Sequence, residues 1–203
     1  MTDSLKTFQL ADLAQFTREK AFSANASRDF VLLMVGRDNV HEALKYVLSR
    51  VQTSLYLSMF GFADPELNDL LMAKAMDPSI TVLITLDKSQ SGGVGEKKLL
   101  DVDRQKDLQA FNTHFAIGQS ATHQINHTKG FIADGLVGAE GSTNWSTGGE
   151  GVFVNGQIGG PNFRAQNNTQ TFFTCPDAIA RFQAQLIAEH MTAVKQEVAG
   201  KGL

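Results

Sequence analysis

Along the first half of the chain the apolar residues change their period several times. Phe30-Val-Leu-Leu-Met-Val35 is a short continuous apolar run, the pattern of a strand covered on both faces. Gly36-Arg-Asp-Asn39 breaks it, and Asp38 or Asn39 can cap a helix running to about Arg50. From Val51 to Phe60 the pattern alternates, with Leu55, Leu57 and Met59 set against Tyr56 and Ser58. Asp64-Pro65 opens a second helix, the acid as N-cap and the proline at the first position, ending near Met76-Asp77-Pro78. Ser79 to Leu86 reads as a third strand. Strand and helix alternating at this spacing predict an α/β domain with a largely parallel sheet.

The flanks are less regular. Residues 7 to 22 carry Phe8, Leu10, Leu13, Phe16 and Phe22, which fits an amphipathic helix that covers the core or an edge, or serves a dimer or a membrane surface. Ser89 to Gly95 is glycine-rich but lacks a lysine-serine ending, so it is a loop and not a phosphate-binding P-loop. Glu96 to Asn112 has helical composition, with Asp101, Asp103, Arg104, Lys106 and Asp107 expected on a solvated face. His127 to Asp134 suits a strand with Lys129, Phe131 and Ala133 on one face and Gly130 and Ile132 on the other. Asp134-Gly135 is a hairpin signal, and Leu136 to Ala139 is the returning strand. Residues 146 to 168, rich in glycine and asparagine, read as a substrate-facing loop with a short hairpin at Val152 to Ile158. A strand at Asn168 to Thr174 and a helix at Asp177 to Val198 complete the chain.

Composition narrows the setting. A chain of 203 residues and 22.1 kDa suits a single domain, with residues 1 to 28 as a helical extension. The single cysteine, Cys175, excludes an intramolecular disulfide and reads as a buried small hydrophobe near a strand end. No basic-then-apolar leader and no membrane-length apolar stretch is visible, so a cytoplasmic protein is expected. The net charge of −3 argues against broad attraction to nucleic acid, though a sum does not describe a local groove.

The candidate chemistry lies in His127-Thr-Lys129-Gly-Phe-Ile-Ala-Asp134 followed by Gly141-Ser142-Thr143-Asn144, that is, HxKxxxxD and then GSxN. A hairpin here can bring His127, Lys129, Ser142 and Asn144 to one end of a sheet. An imidazole nucleophile, a fixed cation, a hydroxyl and an amide suit attack on a phosphodiester, and no cluster of metal ligands accompanies them, so neither metal nor other cofactor is expected. Chance produces both halves in register in on the order of 1 in 100,000 chains of this composition, so an incidental polar hairpin is set aside. His123 precedes His127 by four residues, but the strand pattern argues against chelation. His41 and His190 fall on helices away from the motif, in structural or surface roles. Trp145 packs beneath the site or stacks on a base.

These residues resemble the phospholipase D superfamily motif HxKxxxxDxxxxxxGSxN, including the six-residue gap between Asp134 and Gly141. The resemblance extends more loosely over residues 38 to 192. It implies a phospholipase D-like mixed β-sheet flanked by helices on both faces, an α-β-α sandwich. It also implies a phosphohistidine mechanism with His127, Lys129 and Asp134 as the catalytic residues, Asp134 in a supporting role that orients the motif or balances its charge, and with Ser142 and Asn144 binding phosphate. Relatives carry Asn-x-Glu where this chain has Asn168-Thr169-Gln170; that glutamate orients the imidazole, so Gln170 is the imidazole partner implied here, with Glu140 or Glu150 as substitutes. The family site uses two HxK motifs, and its compact single-motif members, the Nuc-type endonucleases among them, supply the second by homodimerising about a two-fold axis. A homodimeric, metal-independent nuclease acting on DNA or RNA is therefore expected. The alternatives are a phospholipase-type hydrolase acting on membrane lipid and a catalytically weak nucleic-acid-binding domain.

Overall fold

The computed structural model describes residues 4–152 and 165–200. After a 3-10 segment at Leu10–Phe16 come β1 (Phe30–Met34), α1 (Val40–Ser49), β2 (Ser54–Met59), α2 (Pro65–Ala75) and β3 (Thr81–Asp87). Then follow α3 (Val94–Lys106), α4 (Leu108–His114), β4 (Phe115–Gly118), β5 (Lys129–Ala133) and β6 (Val137–Gly141). A single-turn α5 (Thr147–Glu150), β7 (Thr169–Phe173) and the long α6 (Pro176–Gly200) close the described chain. The hairpin expected at Val152 to Ile158 falls outside the described residues apart from Val152.

The strands form one sheet in the order β1-β7-β6-β5-β2-β3-β4. It is mixed. Only β2-β3 and β3-β4 are parallel, and the other four pairings are antiparallel. The expectation of a largely parallel sheet fails because β5, β6 and β7 insert between β2 and β1. Among the described residues β1 is therefore an edge strand paired only with β7, not a central strand covered on both faces. Phe30 and Leu32 stay 48% and 46% exposed, while Val31 and Leu33 enter the core.

Helices cover both faces. α1, α2, α3, α4 and the 3-10 segment lie over one, where Leu44, Leu48, Leu57, Leu67, Leu71, Phe131 and Phe172 are fully buried. Among the described elements α6 alone lies over the other, packing Ile179 and Leu186 against Ile132. The start of α2 is as its sequence reads: Asp64 accepts the Leu67 N–H at 2.8 Å, with Pro65 at the first position. The helix expected over residues 7 to 22 is instead a 3-10 segment. Leu10, Leu13 and Phe16 recur every three residues, the 3-10 period, and Lys20 adopts a positive φ of 56° beyond its end. The helix expected over 96 to 112 is broken at Asp107, whose side chain accepts the Ala110 N–H and starts α4. Asp103, expected in water, is fully buried against the Asn68 amide at 3.0 Å. Cys175, expected to be buried, is exposed. No helix among the described residues is long and apolar enough to cross a membrane.

Asp134 holds the hairpin and β2 together. Asp134 and Gly135 both adopt positive φ, 53° and 66°, and Leu136 N–H donates to the Ala133 carbonyl, so the turn is of type I′. The Asp134 carboxylate accepts the N–H groups of Gln52, Thr53 and Ser54 and the Thr53 hydroxyl, all within 2.8–3.1 Å. Asp134→Ala removes these acceptors and is expected to cost about 2–3 kcal/mol in urea unfolding. Asp134→Asn tolerates the positive φ, keeps one acceptor oxygen and should cost less than half as much.

Candidate active site

Two buried acceptors set the approach to the motif. Asn126 donates its N–H to Asp87 Oδ2 at 2.5 Å and its side-chain amide to Ser58 Oγ at 2.9 Å. Thr128 donates its hydroxyl to Glu189 of α6 at 2.8 Å. Alternate residues are thus tied toward the α6 side, which leaves His127 and Lys129 to the other face. Lys129, Phe131 and Ala133 share that face, as the alternation predicts.

His127 is exposed, and its ring meets Phe60 edge-on with centroids 4.6 Å apart. Lys129 is only 4% exposed. Its ammonium donates to the His127 carbonyl at 2.9 Å and sits 5.0 Å from the centre of the Phe60 ring. Burial pushes the Lys129 pKa below the usual lysine value, and the Glu140 charge acts in the opposite direction. Phe60 follows the last residue of β2, and the next residue, Gly61, carries the contact onward. A Cβ at Gly61 would lie 3.0–3.1 Å from the Asn144 side chain. Phe60-Gly61 therefore joins the two halves of the motif.

The second half is held by β7. Ser142 exchanges hydrogen bonds with Thr169: its N–H donates to the Thr169 carbonyl and its hydroxyl accepts the Thr169 N–H, both at 3.0 Å. The same hydroxyl donates to Asn168 Oδ1 at 3.2 Å. Trp145 is buried between Phe62 and Phe131 and is core packing, with no face left for a base. Gln170 stands opposite Gly141 and is buried, its Oε1 without a hydrogen-bond partner. Asn144 Oδ1 is likewise buried and unpartnered.

His127, Lys129, Ser142, Asn144 and Gln170 thus gather at one end of the sheet, where β2 and β6 end and β5 and β7 begin. Asp134 does not join them. It lies roughly 17 Å along the strand from Lys129, so its grouping with the catalytic residues is corrected to a positioning role. Neither glutamate named as a substitute for Gln170 is available. Glu140 pairs with Gly130 and points to the α6 side of the sheet. Glu150 is fully buried, 2.6 Å from His41. His123 is an exposed turn residue with φ 59°. His190 is buried, with Nδ1 3.2 Å from the Thr85 hydroxyl.

No protein-family model and no curated protein sequence matches the chain. Solved structures do. Nuc from Salmonella typhimurium, a phospholipase D family member, superposes with a TM-score of 0.59 at 14% identity, over 81% of this chain and 96% of that one. The chain has the phospholipase D fold. NucT from Helicobacter pylori matches with the same TM-score at 16% identity, over 81% of this chain and 96% of its own. The phosphatidylserine synthase of Haemophilus influenzae Rd KW20 matches at 0.55 and 11% identity, over 83% of this chain and 37% of that one.

Within this phospholipase D fold, sequence reasoning missed Phe60 and Gly61. Their signal was position: they follow a strand whose C-terminal end opens onto the site, where α/β sheets place ligands. Lys129→Met removes a buried charge while keeping the length of the side chain. It is expected to leave the melting temperature unchanged or raise it, and to abolish inorganic phosphate binding followed by 31P NMR.

Proposed function

We propose that the chain is a metal-independent phosphodiesterase, a nuclease cleaving DNA or RNA through a phosphohistidine in a site shared between two copies. The observation that carries this reading is the pairing of an exposed His127 with a buried, fixed Lys129 ammonium over Phe60, with Asn144 against the adjoining Gly61. Lys129, Asn144 and Ser142 bind the non-bridging phosphate oxygens and offset the charge that grows on them in the transition state. An imidazole nitrogen of His127 attacks phosphorus, forming the N–P bond as the bond from phosphorus to the leaving oxygen breaks. The leaving oxygen takes a proton from the protonated His127 of a second copy. Water then attacks the phosphohistidine, gives its proton back to that second imidazole and releases phosphate monoester, restoring both histidines.

Three of the other four histidines are committed or displaced, which favours a second copy as the source of the general acid. His41 and His190 are buried, and the His114 ring nitrogen is 2.9 Å from the Val82 carbonyl, at the opposite end of the sheet. General acid catalysis contributes roughly 10²- to 10⁴-fold, so an isolated monomer is nearly inactive. Gln170 Oε1, unpartnered in this structure, would accept a hydrogen bond from the imidazole in the reacting complex without adding negative charge, and so would stabilise an imidazolium less than a glutamate. A nucleic acid is the substrate favoured over lipid, since among the described residues no apolar anchoring helix accompanies the site: the 3-10 segment buries Leu10 and Leu13 in the core.

Cleavage of single- and double-stranded DNA in excess EDTA tests the reading. Wild type is expected to cleave and His127→Ala to lose at least about 10³-fold. Cleavage by both proteins would place the chemistry elsewhere. Binding without cleavage by either would leave a nucleic-acid-binding domain, and turnover of phospholipid vesicles alone would make the substrate lipid. Gln170→Glu is expected to raise the cleavage rate up to about 10-fold, read as kcat at saturating DNA.

A further inference from the structure

Beside the Trp145 carbonyl, which accepts the N–H groups of Ala63 and Asp64, lies a buried cluster that this chemistry does not use. His41, Asp64 and Glu150 are 4%, 2% and 0% exposed. His41 stands in the first turn of α1, Asp64 caps α2 and Glu150 ends α5. His41 Nδ1 lies 2.6 Å from Glu150 Oε2 and 3.7 Å from Asp64 Oδ2, and Nε2 lies 3.3 Å from Glu66 Oε2. One donor atom from each of the three buried residues falls within 4.8 Å of the others. Asp64 Oδ1 is committed to the Leu67 N–H, which leaves Oδ2 for the cluster. Glu150 Oε1, fully buried, has no hydrogen-bond partner among the described residues.

These groups are out of balance by themselves. When Nε2–H donates to Glu66, the Nδ1 lone pair of a neutral His41 faces two buried carboxylates, an arrangement that repels unless a proton on Nδ1 or a metal ion bound by all three residues relieves it. One proton on Nδ1 leaves a net buried negative charge and leaves Glu150 Oε1 unsatisfied. A dication balances both carboxylates and gives that oxygen a partner. We propose that His41, Asp64 and Glu150 bind a divalent first-row transition cation of the zinc or manganese type, suited to one imidazole and two carboxylates. Glu66 is the outer carboxylate that orients the imidazole. The ion ties the N-terminal turns of α1 and α2 to α5, and so fixes the segment that follows Asn144. Its ligands are buried, and it takes no part in the proposed phosphoryl transfer.

The test uses the full chain stripped with chelator, then titrated with ZnCl2 and with MnCl2, followed by calorimetry and thermal melting. Neither readout depends on hydrolysis. One equivalent of one of the two ions should bind and raise the melting temperature by roughly 5–10 °C at about 100 times its Kd. His41→Asn and Glu150→Gln should lose that rise. Glu66→Gln changes a side chain that is 61% exposed, so it leaves the fold intact; it should keep the stoichiometry and weaken binding about 10-fold. Glu66→Gln decides the matter if the buried variants fail to fold. The proposal is overturned if the stripped wild type takes up neither ion stoichiometrically and its melting temperature does not move, a proton then holding the cluster. It is equally overturned if Glu66→Gln binds as tightly as wild type. EDTA in the cleavage assay is expected to lower the melting temperature while leaving hydrolysis below it intact.

Discussion

The open end of the sheet depends on the register of residues 126 to 134, which two carboxylates hold from opposite ends. Asp87, nearly fully buried, fixes the Asn126 N–H, and Asp134 fixes the backbone of residues 52 to 54. Between them β5 pairs with β2 so that Lys129 stands opposite Met59. A slip of one residue would turn His127 and Lys129 toward α6 and place Asn126 and Thr128 at the site. The hydroxyl and amide anchors at Thr128 and Asn126 make such a slip costly, because Asn126 would lose buried partners and Thr128 a half-buried one.

That register also accounts for the electrostatics. The chain is acidic overall, with a formal net charge of −3, yet its candidate site holds a buried lysine. Lys129 is tolerated because its ammonium donates to the His127 carbonyl and lies over Phe60. Keeping a cation in such a place opposes stability, and the lowered Lys129 pKa reflects that cost. A phosphate group arriving at the site would relieve it, which is why binding and chemistry are expected to coincide there.

Much of this was legible in the sequence, for local reasons. The caps of α1 and α2, the Asp134-Gly135 turn and the facing of Lys129 and Phe131 follow from short-range rules that the packing leaves intact. What failed was long-range. β1 looked central because Phe30-Val-Leu-Leu-Met-Val35 is apolar throughout, but topology puts it at the edge and leaves Phe30 and Leu32 half-exposed. Asp134 looked catalytic through its place in the motif, whereas five residues of strand carry it to the far end of the sheet. His41 and Glu150 are 109 residues apart, so no spacing rule could have paired them. Phe60 and Gly61 carry no polar group, and only their contacts with His127 and Asn144 reveal them.

Covalent catalysis at His127 is the central step of the proposed mechanism, and the stereochemistry at phosphorus tests it most directly. The measurement is cleavage of a chiral phosphorothioate diester in 18O-labelled water, with the configuration of the product read by NMR. Two in-line displacements, first by His127 and then by water, predict retention. Inversion would mean a single direct attack by water, with His127 acting only as an acid or base, and would contradict the phosphohistidine.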